Sequence, residues 1–67
     1  MNSYNLYEEE HYSMVLYHAV AKDEEHVKSL AEEAGIDIEG LVIDLQLKNV
    51  KDQLGRPYKP YIENAIV

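Results

Sequence analysis

The sequence predicts a mainly α fold, a compact domain of three to four helices, and three observations lead there. Apolar residues recur at helical spacing through residues 5–22, Asp23 and Gly35 bracket an amphipathic segment, and Leu54-Gly55-Arg56-Pro57 reads as the stop of a further helix. The alternative is an α+β arrangement with a short strand or hairpin in residues 41–62, because Leu41, Ile43, Leu45 and Leu47 alternate as a half-buried strand does. A chain of 67 residues holds one domain, residues 1–67, and one small core.

The first predicted helix runs from Asn5 to about Lys22. Asn5 followed by Glu8 is a variant of the capping box, and Glu8, Glu9 and Glu10 then fall in the first turns, where carboxylates offset the helix dipole. Tyr12, Val15, Leu16, Ala19 and Val20 form one apolar stripe, with Met14, Tyr17 and Ala21 roughly opposite. The second predicted helix starts at Asp23 as N-cap and ends at Gly35, burying Val27, Leu30, Ala31 and Ala34. The third runs from an Asp37 cap to Leu54, with Gly40 as its weak point. Pro60 then occupies the first position of a terminal helix that lays Tyr61, Ile62, Ala65 and Ile66 on the core.

At the centre, Leu30, Ala31, Ala34, Gly35, Ile36 and Leu41 supply small residues at a helix crossing, a turn residue that tolerates positive φ, and flanking apolar groups. Over residues 29–48 this pattern resembles the helix-turn-helix superfamily, which implies a helix-turn-helix-like centre and, in members that bind DNA, a second helix that reads bases. Here that helix carries Asp37, Glu39 and Asp44 where a base-reading helix presents Arg, Lys, Asn or Gln.

Charge narrows function further. The net charge of −7, with a pI near 4.7, disfavours general affinity for nucleic acid or anionic membranes and favours a basic partner. The distribution is uneven, with net −9 over residues 1–46 and net +2 over residues 47–67. There is no cysteine for a disulfide or a thiolate metal site. No run approaches the length of a membrane-spanning helix and the N-terminus has no basic-then-apolar leader, so a cytoplasmic location is expected.

Chemistry-bearing patterns are sparse. Glu8 with His11 and Asp23 with His26 place a carboxylate beside an imidazole at i, i+3, but no further inward carboxylates are marked, and neither a metal nor a cofactor is expected. Ser3, Ser13 and Ser29 lack a nucleophile elbow, and the three glycines, 35, 40 and 55, make no phosphate-cradling loop. The chain is expected to be no enzyme and to take no small-molecule substrate.

Six tyrosines, with no Trp or Phe, are the remaining signal, since tyrosine is enriched at binding hot spots. The expected partner-binding set is Tyr4, Tyr7, Glu8, Glu9, Met14, Tyr17 and Tyr58. Met14 and Tyr17 belong to it because two apolar stripes exceed what so small a core covers, which also suggests self-association as a homo-oligomer or dimer. The functional expectation is a small acidic, non-enzymatic protein that binds and regulates another protein, as an inhibitor or adaptor of the kind phages and mobile elements encode, DNA mimicry being one version. The competing class is a nucleic-acid-binding module of helix-turn-helix type that uses the basic segment 48–61, with Lys48, Lys51, Arg56, Lys59 and Tyr61 as contacts.

Overall fold

The structure, a computed structural model, describes residues 1–11 and 13–65. The described residues form an antiparallel sheet with one α-helix on it. In chain order the elements are β1 (Asn2–Glu8), a 3-10 turn (Glu9–His11), β2 (Tyr17–Ala21), α1 (Glu24–Ala34), β3 (Leu41–Leu47) and β4 (Tyr61–Asn64). The strands lie in the order β3-β1-β2-β4, so β1 and β2 are central and β3 and β4 are the edges. The mainly α expectation is therefore overturned, and the α+β alternative lies closer.

The segment predicted as the first helix is two strands. Tyr4 and Leu6 alternate with Ser3, Asn5 and Tyr7, so every second side chain of β1 points to the core. Asn5 caps nothing; it sits mid-strand opposite His18, with Tyr4 opposite Ala19 and Leu6 opposite Tyr17. In β2, Ala19, Val20 and Ala21 are all buried. A strand that is apolar on both faces shows three successive apolar residues, which helical spacing also accommodates. The predicted stripe also includes Tyr12, which lies outside the described residues.

The helix at 24–34 is present, with the predicted caps. Asp23 Oδ1 accepts from the His26 N–H at 2.8 Å, and the His26 ring Nδ1 in turn accepts from the Lys22 N–H at 3.0 Å. The His26 ring thus reaches one residue further back than the side chain of a capping box, to the N–H of the residue before the N-cap. Gly35 ends the helix in the left-handed region at φ 70°, and the Ile36 N–H reaches back to the Ala31 carbonyl at 2.9 Å, a Schellman closure. Val27 and Ala31 are buried, Leu30 is half-buried, and Ala34, expected inside, is exposed.

The described residues contain no helix-turn-helix, because Gly35 leads into a turn and a strand. The Asp37 carboxylate accepts from the Glu39 N–H at 3.0 Å, which makes an Asx-turn instead of a helix cap, and Gly40 takes φ 83° on entry to β3. Leu41, Ile43 and Leu45 then face the helix side, and Val42, which interrupts the alternation in the sequence, faces the other way. The predicted terminal helix is likewise β4; Ile66, assigned to it, lies outside the described residues.

The core is Tyr4, Leu6, Ala19, Ala21 and Val27, extended by Tyr17, Leu30, Ile38, Leu41, Ile43 and Ile62. Helix α1 lies against β2 and β4, where Ala19 and Ala21 allow a close approach of helix to strand. Leu6 and Val27 are the largest side chains wholly removed from water, each stabilising by about 1.5–3 kcal/mol. No helix among the described residues is long and apolar enough to cross a membrane.

Candidate functional site

Alternation and register divide the sheet into a face on which α1 packs and an opposite face that carries no helix among the described residues, half-buried over much of its area and buried at Val20. Directly opposed residues of antiparallel strands point the same way, so the open face can be assembled row by row. One row crosses all four strands: Asp44 opposite Asn5, Asn5 opposite His18, His18 opposite Glu63. A second row is Leu47, Ser3, Val20 and Tyr61, and a third pairs Val42 with Tyr7.

Leu47 joins the open face through a bulge. Tyr4 pairs with Leu45 but Ser3 pairs with Leu47, so Gln46 is an extra residue and the end of β3 changes side. The Leu47 N–H donates to Ser3 Oγ at 3.2 Å and holds that end in place. Leu47 is 63% exposed, whereas Val20, two strands inward, is only 5% exposed.

The polar row is partly knitted together. Asn5 Oδ1 and His18 Nδ1 lie 2.8 Å apart across the central strands, an arrangement in which the ring N–H donates to the amide oxygen. Gln46 Nε2 donates to Asp44 Oδ2 at 2.8 Å along β3. On β4, partial burial and then the neighbouring Glu63 and Tyr58 push the Tyr61 hydroxyl above the ordinary tyrosine range.

The structure distributes the sequence-predicted residues widely. Tyr4 is a core residue at 4% exposure, with its hydroxyl near Asn2 Nδ2, and Tyr17 packs against the core on the covered face. Met14 and Tyr17 do not share a stripe of one helix, since Met14 lies exposed in the β1–β2 connection and Tyr17 opens β2. Glu8 ends β1 and lies 3.1 Å from His11 Nδ1, and Glu9 is exposed in the 3-10 turn. Tyr7 and Tyr61 reach the open face, whereas Tyr58 stands exposed on the β3–β4 connection.

That connection also carries Lys48, Lys51, Arg56 and Lys59, all exposed. It folds back on itself as a small turn organised by Asp52, whose Oδ1 accepts the N–H groups of Leu54 and Arg56 at 2.9 and 3.0 Å. Its Oδ2 takes the Arg56 Nε at 3.2 Å. Those bonds, led by the Arg56 N–H, hold the Asp52 carboxyl below the ordinary aspartate range. Arg56 is thus engaged within the chain. Both acid-x-x-His pairs act locally, one as a helix cap and the other as an exposed contact, and the described residues bring no three His, Cys, Asp or Glu together in a metal-binding group.

Sequence reasoning missed Asn5, His18, Val20, Asp44 and Glu63 as members of one surface. The available signal was the period-2 alternation of residues 3–7 together with that of 41–45. Comparison with protein-family models, curated proteins and solved structures gives no match.

Proposed function

We propose that this chain is a non-enzymatic binding protein that regulates a protein partner through the open face of its sheet. One observation carries the reading. Helix α1 packs over β2 and β4 on one face, while the other presents Tyr7, Val42, Tyr61 and Leu47 around a polar row, a mixture of aromatic and aliphatic contacts with hydrogen-bonding groups that suits protein surfaces. The acidic balance of −7 adds a preference for basic partners. We assign such binding to an inhibitor or adaptor, and imitation of DNA toward a nucleic-acid-binding protein is one version of it.

The test compares partner capture by the native chain with capture by two variants of similar surface character. Tyr7→Ser with Tyr61→Ser alters the open face; Glu32→Gln with Glu33→Gln alters the outer surface of α1. Loss of the captured protein in the first and retention in the second is the expected outcome. Equal capture by both ends the open-face reading. Salt-sensitive binding of duplex DNA that disappears when Lys48, Lys51, Arg56 and Lys59 are neutralised would establish the competing nucleic-acid reading instead.

A further inference from the structure

We infer that the occupant of the open face is an extended, basic segment of the partner, lying across the strands along the row from Asp44 to Glu63; this rests on the open face being the docking surface. The four strands contain the carboxylates of Glu8, Asp44 and Glu63 and no lysine or arginine at all. Glu8 belongs by alternation to the covered side and is engaged with His11, which leaves Asp44 and Glu63 as the formal charges of the open face, one at each end of the same row. A second copy of this chain is a poor occupant, because it would bring four carboxylates together with no cation from either sheet.

Spacing selects the shape of the segment. Asp44 and Glu63 stand three strand steps apart, about 14 Å at the usual inter-strand distance. In an extended chain residues i and i+4 lie about 13–14 Å apart and point to the same side. Helical repeats match less well: i, i+7 spans about 10.5 Å, i, i+11 about 16.5 Å, and intermediate separations turn away from the common face. Two cations at i and i+4 of a strand-like segment therefore reach both carboxylates together.

The middle of the row fits the same geometry. Residue i+2 of the segment falls over Asn5 and His18, whose mutual bond uses Asn5 Oδ1 and His18 Nδ1 and leaves the Asn5 amide hydrogens and His18 Nε2 for a polar side chain. Tyr61 and Leu47 on one side, and Tyr7 and Val42 on the other, form apolar flanks. Such flanks suit the aliphatic stems of arginine or lysine, and the tyrosine rings add a cation–π contribution.

The experiment is fluorescence anisotropy with two labelled Ser/Thr/Gln peptides of identical composition, one with arginines at i and i+4 and the other with the arginines adjacent, titrated with the full chain at moderate salt. The first peptide should bind several-fold tighter. D44N/E63Q should weaken it about tenfold, the combined size expected of two exposed ion pairs, and bring it to the level of its isomer. Glu32→Gln with Glu33→Gln should leave it unchanged, and circular dichroism of every variant reports the fold. Equal affinity of the two peptides, indifference to D44N/E63Q, or absence of binding overturns the inference. Should that happen while Tyr7→Ser with Tyr61→Ser still abolishes partner capture, the open face remains the docking surface and its occupant is of another chemistry.

Discussion

The two faces of the sheet use the same strands for different ends. On the covered face, Leu6, Ala19 and Ala21 are shaped for close packing under Val27 and Ala31 of α1, and their exposure is at most 1%. On the open face, the middle positions of the same two strands are Asn5 and His18, joined by one hydrogen bond and exposed to solvent to different degrees. Removing atoms from the first face leaves a cavity; removing them at His18 on the second leaves water. Stability accounts for the covered face and has little to say about the open one, which is why function is sought there.

The largest expected effect is on the covered face. Leu6→Ala should destabilise the fold by about 2–5 kcal/mol, because Leu6 is wholly buried and a cavity adds to the lost transfer energy. A total stability for a small domain of roughly 5 kcal/mol would leave this variant near unfolding, as urea denaturation would show. A change under about 1 kcal/mol would mean that the core has repacked and that the two faces differ less than their burial implies.

Next in size are the ends of α1. Asp23→Ala removes the oxygen that accepts the His26 N–H and should cost about 1 kcal/mol. Gly35→Ala meets no steric obstruction in space but must hold φ near 70°, so it should cost about 1–2 kcal/mol through backbone strain alone. Both are read as shifts in denaturation midpoint, with helix content at low denaturant unchanged.

These caps also show why α1 was legible in the sequence when the sheet was not. Capping is local: Asp23 and Gly35 act on residues within four positions of themselves. The strands depend on partners remote in sequence. Ala19 and Ala21 have high intrinsic helix propensity, yet they serve a strand because Tyr4 and Asn2 lie opposite and Val27 closes over them. Asn5 and Glu8 copied the spacing of a capping box, but the Asn5 amide finds its partner thirteen residues away at His18. The alternation from Leu41 to Leu45 was visible, and Val42 argued against it only until a second, open face existed for that side chain. Of the candidate site, Tyr7 and Tyr61 were named from residue type, whereas the row from Asp44 to Glu63 requires the register of all four strands, which no local pattern contains.

On the open face the expected stability effects are smaller. His18→Ala should change stability by no more than about 0.5 kcal/mol, since the ring is exposed and its bond to Asn5 is replaceable by water. The same substitution should nevertheless weaken partner binding if the row lies inside the interface. The combination of a near-native denaturation curve with weakened binding separates the two faces most cleanly. A loss of stability comparable with that of Leu6→Ala would show instead that the polar row is part of the structural core.

The smallest effect lies outside both faces, in the turn between β3 and β4. The Asp52 carboxyl is held below the ordinary aspartate range, first by the Arg56 N–H and further by the Leu54 N–H and the Arg56 side chain, against a desolvation that acts the other way. A carboxyl depressed in the folded state contributes stability that is fully present above its unfolded value and is lost as pH falls through the folded value. The turn should therefore hold at neutral pH and loosen only in acid below the ordinary aspartate range. There the Leu54 and Arg56 amide resonances should move together, while those of Leu6 and Val27 stay in place. Asp52→Asn retains one oxygen acceptor and loses the ion pair with Arg56, so it should abolish the acid transition with less disturbance of the turn than Asp52→Ala. Asp52→Asn should not lower the denaturation midpoint as far as Asp23→Ala, because it keeps an oxygen acceptor for the turn and the ion pair it loses has a largely exposed, screened Arg56 partner. If the core amides titrate in step with those of Leu54 and Arg56, the turn is coupled to the sheet, and the basic connection has to be counted as part of the fold that presents the open face.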